Sequence, residues 1–118
     1  MIMDNLSPAA KKVYALLGFA QKAGKLVSGD DSVFVALGKK KLKLVIVAED
    51  LSDNSRKKFD QKLYAADKEK KRDAGTAVFT FGTKVSLGHA IGKSPRGLIA
   101  VMDENFAKAI AKNLEELV

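Results

Sequence analysis

The chain has no cysteine and no tryptophan, one histidine and only two prolines among its 118 residues. Without cysteine there is no disulfide framework, no thiolate zinc site and no thiol redox chemistry. A chain of this length buries roughly two-thirds of its unfolded surface, enough for one hydrophobic core without covalent or metal staples. One domain over residues 1–118 is expected. The lone histidine, His89, has no acid or nucleophile near it in sequence, so no acid–base pair is legible and an enzyme is not expected. Long apolar runs are also missing. The longest, from Val13 to Ala20, falls far below the roughly 20 residues that cross a bilayer. Asp4 precedes Lys11 and Lys12 with no export-type apolar core between them, which predicts a cytoplasmic protein with no membrane contact. No cofactor and no metal are expected.

What the chain has in excess is positive charge: 21 Lys and Arg against 14 Asp and Glu, a formal net charge of +7. The estimated isoelectric point of 9.6 favours a polyanionic partner, nucleic acid before an anionic membrane surface. With 47% apolar and 30% charged residues, the composition is that of a folded domain.

Local patterns divide the chain into alternating elements. Ser7 followed by Pro8 is an N-cap with proline in the first helical turn, and Val13, Leu16, Leu17 and Ala20 recur at helical spacing up to Gly24. Lys25 to Ser28 is a short strand or extended link. A second helix starts around Gly29, with Val33, Ala36 and Leu37 inward and Gly38 ending it. Leu44 to Ala48 is an unbroken β-branched run, the pattern of a central strand covered on both faces with a parallel neighbour. Ser52 or Asp53 opens a third helix with Phe59, Leu63 and Ala66 inward and Arg56, Lys57, Lys58 and Lys62 outward. Lys68 to Gly75 reads as a helix end and a solvated loop. Ala77 to Phe81 is a further strand, Thr83 caps a short helix with Leu87, Ala90 and Ile91 inward, and Leu98 to Met102 is another apolar strand. Asp103 caps a last helix in which Phe106, Ile110, Leu114 and Leu117 pack. The alternation predicts a three-layer α/β/α sandwich: a mixed, mostly parallel four-stranded sheet with helices on both faces.

Two stretches resemble sites. Gly88-His89-Ala90-Ile91-Gly92-Lys93-Ser94 has three residues between its glycines where a phosphate-binding loop has four, and it lies after a helix and before a strand, the reverse of what that loop requires. It reads as a helix end. More informative are the three strand-to-helix connections at 25–30, 49–53 and 81–84. In a mostly parallel sheet they open at the same end and turn the backbone N–H groups of three helix starts toward one region. Lys22, Lys25, Lys39 and Lys84 are expected to border it. Asp30, Asp31, Glu49, Asp50 and Asp53 lie in the same connections and repel phosphate, but a carboxylate accepts hydrogen bonds from the N1–H and N2–H of an exposed guanine edge. Such edges are presented where RNA is bulged or bent, not in a regular A-form groove. The lysines would supply the non-specific attraction.

Gly18 to Gly29, Lys43 to Asp50, Leu87 to Lys93 and the helix start at Asp103 to Ala107 together resemble the ribosomal protein L7Ae/L30e family, and most closely its small bacterial branch. The resemblance covers nearly the whole chain in order. It implies an α/β/α sandwich that binds kink-turn RNA, a helix–bulge–helix element bent beside tandem sheared G·A pairs, in ribosomal or regulatory RNA. It implies a monomeric, non-catalytic protein, with the ribosome among its settings. Carried over by position, Gly29 opens the second helix and Asp30, Asp31 and Ser32 occupy the turn where relatives read guanines, with Ser28 just before it. Gly24 and Lys25 match the preceding backbone-contacting loop, Glu49 and Asp50 the next connection, and Phe81, Gly82, Thr83 and Lys84 the loop that packs on bulged nucleotides. Archaeal members carry Asn-Glu at the second helix start and a lysine soon after, whereas this chain has Asp30-Asp31-Ser32 and no lysine until Lys39. A different reading makes the basic helix over residues 56–71 a docking face for an acidic protein.

Overall fold

The computed structural model of the chain describes residues 6–39, 41–68 and 77–117. Nine elements alternate along it: α1 (Pro8–Lys22), β1 (Leu26–Ser28), α2 (Asp30–Gly38), β2 (Leu44–Val47), α3 (Asp53–Lys68), β3 (Ala77–Thr80), α4 (Lys84–Ala90), β4 (Leu98–Val101) and α5 (Glu104–Glu115). The helix starts follow from local chemistry. Ser7 Oγ accepts from the Ala10 N–H at 3.2 Å, and Asp103 Oδ2 accepts from the Phe106 N–H at 2.9 Å, so each satisfies an N–H that has no partner within its helix. Thr83 and Ser86 form a reciprocal capping box at α4. α1 ends in a turn in which the Lys25 N–H donates to the Ala20 carbonyl across Gly24.

The four strands form one sheet in the order β1-β4-β2-β3. β2 pairs with β3 in parallel, and β4 is antiparallel to both β1 and β2. Three strands therefore run one way and β4 runs against them between β1 and β2. The mostly parallel expectation holds for strand direction, but two of the three pairings are antiparallel.

Alternate side chains divide the core. Leu44, Ile46, Ile99 and Val101 face one layer with Leu17, Leu87 and Ile110, which places α1, α4 and α5 on that side. Val45, Val47, Leu98 and Ala100 face the other with Val33, Leu37 and Phe59, which places α2 and α3 there. β2 and β4 are buried throughout, whereas β3 at the sheet edge alternates between half-buried and exposed residues. Two sequence expectations are corrected. Phe81 lies beyond β3 and is buried against Tyr14, ring centroids 4.9 Å apart. Leu117 lies beyond the end of α5 and is 39% exposed, because the helix stops before it can turn that residue inward. The basic helix is described to Lys68; residues 69–71 and most of the loop expected over 68–75 lie outside the described residues. Among the described residues no helix is long and apolar enough to cross a membrane.

Candidate functional site

β1, β2 and β3 all end where β4 begins, so their three connections and the turn before β4 meet at one end of the sheet. Backbone bonds join them directly. The Gly29 N–H donates to the Leu98 carbonyl, the Ala48 N–H to Gly97, the Glu49 N–H to Gly82 at 2.7 Å, and the Arg96 N–H to Lys84. Ser28, Gly29, Asp30, Asp31, Ser32, Glu49, Asp50, Gly82, Thr83 and Lys84 are thus brought together, as the spacing of the connections predicts.

Gly29 has φ +91° and ψ 156° at the N-cap of α2, a conformation open essentially only to glycine, and it caps without a side chain. The N–H groups of α2's first turn are left uncovered by a capping side chain. Asp30 is positioned from α3: Ser55 Oγ donates to Asp30 Oδ2 at 2.6 Å. Asp31 is exposed and has no side-chain hydrogen bond or ion pair among the described residues. Asp50 has a structural task, because its Oδ1 accepts from the Lys84 N–H at 2.8 Å and supports the start of α4 from the neighbouring connection. Asp50→Ala is expected to lower stability by about 1 kcal/mol, the usual loss on deleting a cap, as measured by urea unfolding. Asn at this position, which keeps an acceptor oxygen, should restore most of it.

The sequence reading misses Arg96. Its Nε donates to Ser28 Oγ at 3.2 Å, and its Nη1 donates to Ser94 Oγ at 2.6 Å and to the Ser94 and Pro95 carbonyls. These bonds hold the guanidinium beside Gly29 in an open depression of about 410 Å³ lined by Ser28, Asp30, Asp31, Ser32, Pro95 and Gly97. The available signal was an arginine in a Pro-Gly turn just before an apolar strand. It pointed here only once β4 was known to run against the others.

Other expected residues do not join the site. Lys25 lies at the start of β1, where its carbonyl accepts from the Met102 N–H beyond the end of β4. Lys22 and Gly24 are in the turn just before it. Lys39 caps the far end of α2. All four are at the opposite end of the sheet, so the single rim of lysines is corrected to Lys84 and Arg96. Phe81 turns its ring into the core and leaves only its backbone near the site. His89 is exposed in the last turn of α4. Among the described residues no group of three or more His, Asp or Glu is placed to hold a metal ion.

Comparison with known proteins agrees with this architecture. The RNA-binding protein YlxQ of Bacillus subtilis is 35% identical over 102 residues, covering 86% of this chain and 94% of that protein. The protein of the same name from Enterococcus faecium is 30% identical over 105 residues, covering 89% and 93%. A solved protein of unknown function from Bacillus halodurans superposes with a TM-score of 0.74 at 30% identity, covering 88% of this chain and 97% of that one. The Giardia lamblia 15.5kD RNA binding protein shares the fold, with a TM-score of 0.65 at 22% identity over 96% of this chain and all of that one. Residues 11–111 match the family described as ribosomal protein L7Ae/L30e/S12e/Gadd45. With that match over most of its length, and with relatives named for RNA binding and not for any reaction, the chain belongs to the ribosomal protein L7Ae/L30e/S12e/Gadd45 family.

Proposed function

We propose that this protein binds RNA at a sharply bent element of the kink-turn kind, through the end of the sheet where α2, α3 and α4 begin. The observation that carries the reading is the first turn of α2: uncovered N–H groups beside Gly29, an unpartnered Asp31, and Asp30 held in place by Ser55. Carboxylates at this position accept from the N1–H and N2–H of a guanine and repel phosphate, which favours exposed base edges over a regular duplex. Lys84 and Arg96 flank the carboxylates and face the backbone of the bend. One copy supplies every element of the site, so the protein acts as a monomer. The relatives named as RNA-binding proteins and the ribosomal family support this reading, in a cytoplasmic, non-catalytic role on ribosomal or regulatory RNA.

The test is a titration of a kink-turn RNA and of an unbent duplex of matched length and composition. The kinked RNA should bind at least tenfold tighter. Asp31→Ala should reduce that preference by about tenfold, in line with the 1–3 kcal/mol that a specific base contact contributes. Lys84→Ala should weaken both RNAs alike. Equal binding of the two RNAs by the unmutated protein would overturn the kinked target.

A further inference from the structure

The net charge of +7 is not collected where the RNA bend is placed: there Asp30, Asp31, Glu49 and Asp50 oppose Lys84 and Arg96. Positive charge gathers at the other end of the sheet. Lys22, Lys25, Lys39 and Lys41 are all exposed there, and none of their ammonium groups has a hydrogen bond or ion pair among the described residues. Two acids at the start of α5 are already engaged. Asp103 caps α5 through the Phe106 N–H, and Glu104 pairs with Lys108 at 3.6 Å. The carboxyl ends of α1 and α2 also point this way, but a helix end carries only about half a unit of negative charge against the full charge of each lysine. Beside Lys39 and Lys41 an open groove of about 420 Å³ has Val27, Val35, Ala36 and Met102 as its apolar part, with Val35 56% exposed, and is bounded toward the start of α2 by Asp31 and Ser32. An apolar surface beside ammonium groups suits the base or sugar face of a strand whose phosphates the lysines neutralise.

We propose that this lysine end is a second RNA contact, independent of sequence, that holds a single-stranded segment by its backbone while the opposite end discriminates the bend. The proposal rests on the reading of the protein as an RNA binder. The two ends are separated along β1 and α2: Lys25 and Gly29 are four residue steps apart, roughly 13 Å, and α2 spans about 15 Å from Gly29 to Lys39, with Asp31 and Ser32 lining the depressions at both ends. A strand leaving the bend, or a separate one, reaches the lysines by passing along that flank.

The test uses the full chain with Lys22, Lys25, Lys39 and Lys41 all changed to Gln, and a matched variant with Arg56, Lys57, Lys58 and Lys62 changed to Gln on α3. Thermal melting checks that both are folded. Binding of a 20-nucleotide oligouridine is titrated across salt, because this RNA has no bend to recognise. The lysine-end variant should lose at least tenfold in affinity, and its plot of log affinity against log salt should be shallower by about 3, the value for four phosphates on a single strand. It should keep its preference for kinked over unbent RNA. The α3 variant should retain most of the slope. Unchanged oligouridine binding by the lysine-end variant overturns the proposal, and so does an equal loss in both variants, which would reflect net charge without a located site. Loss of an oligoglutamate peptide with oligouridine binding intact would assign the surface to an acidic protein and overturn it too. A wild-type protein that fails to prefer the bend sinks the kinked target alone, because the oligouridine readout does not depend on it.

Discussion

Gly88→Ala is expected to destabilise the protein by about 3 kcal/mol and to abolish selectivity for bent RNA, although alanine is the better helix former by about 1 kcal/mol. A methyl group built on Gly88 would lie 2.2 Å from the Ser94 carbonyl oxygen, 2.8 Å from its carbonyl carbon and 2.9 Å from Pro95 Cα. All three are backbone atoms, so no side chain can rotate aside, and the turn from Ser94 to Gly97 must move off α4. That turn carries Arg96, which bonds Ser28 and whose N–H is bonded to Lys84. Stability and the geometry of the site therefore fail together. The control is Gly38→Ala at the end of α2, where an added methyl meets nothing within 4 Å. That change should be neutral or stabilising. Urea unfolding of the two variants, with titration of kinked and unbent RNA, decides the matter: a Gly88→Ala protein at or above parental stability would contradict the packing of Ser94 on α4.

The largest loss confined to packing is expected at Phe59, where truncation to alanine should remove about 3–5 kcal/mol. The ring is fully buried between α3 and the sheet, among Val33, Leu37, Val45, Val47 and Leu98. Against a typical total of roughly 5–15 kcal/mol, this is about a fifth or more of the stability of a single domain. Tyr64 lies five residues along the same helix and is 70% exposed, so its truncation should change stability by less than about 0.5 kcal/mol. Thermal melting of the pair separates the two environments. The Phe59→Ala protein, held well below its melting point, should still prefer kinked RNA, because Phe59 lies in the α2/α3 core layer and makes none of the bonds that join the connections.

Much of the scaffold is legible without coordinates because its causes are local. Ser7, Thr83 and Asp103 cap the helices that their side chains and spacing announce, and each makes the expected bond to an N–H three residues on. The apolar runs at Leu44–Val47 and Leu98–Val101 become the two interior strands because only an interior strand is covered on both faces. The convergence of three connections is also legible, since it needs only that β1, β2 and β3 share a direction.

Residue chemistry by itself determined the nine elements, their caps, the two-sided core and the carboxylates at the start of α2, all properties decided within a turn of helix or a few residues of strand. Tertiary structure alone decided that β4 inserts between β1 and β2 against their direction, and from that one pairing follow the arrival of Arg96 at the site and the close approach of Ser94 to Gly88. It also sent Lys22, Lys25 and Lys39 to the far end of the sheet, although each is near Gly29 in the chain. Sequence separation says nothing about which end of a strand or helix a residue occupies in space, and electrostatics acts through space.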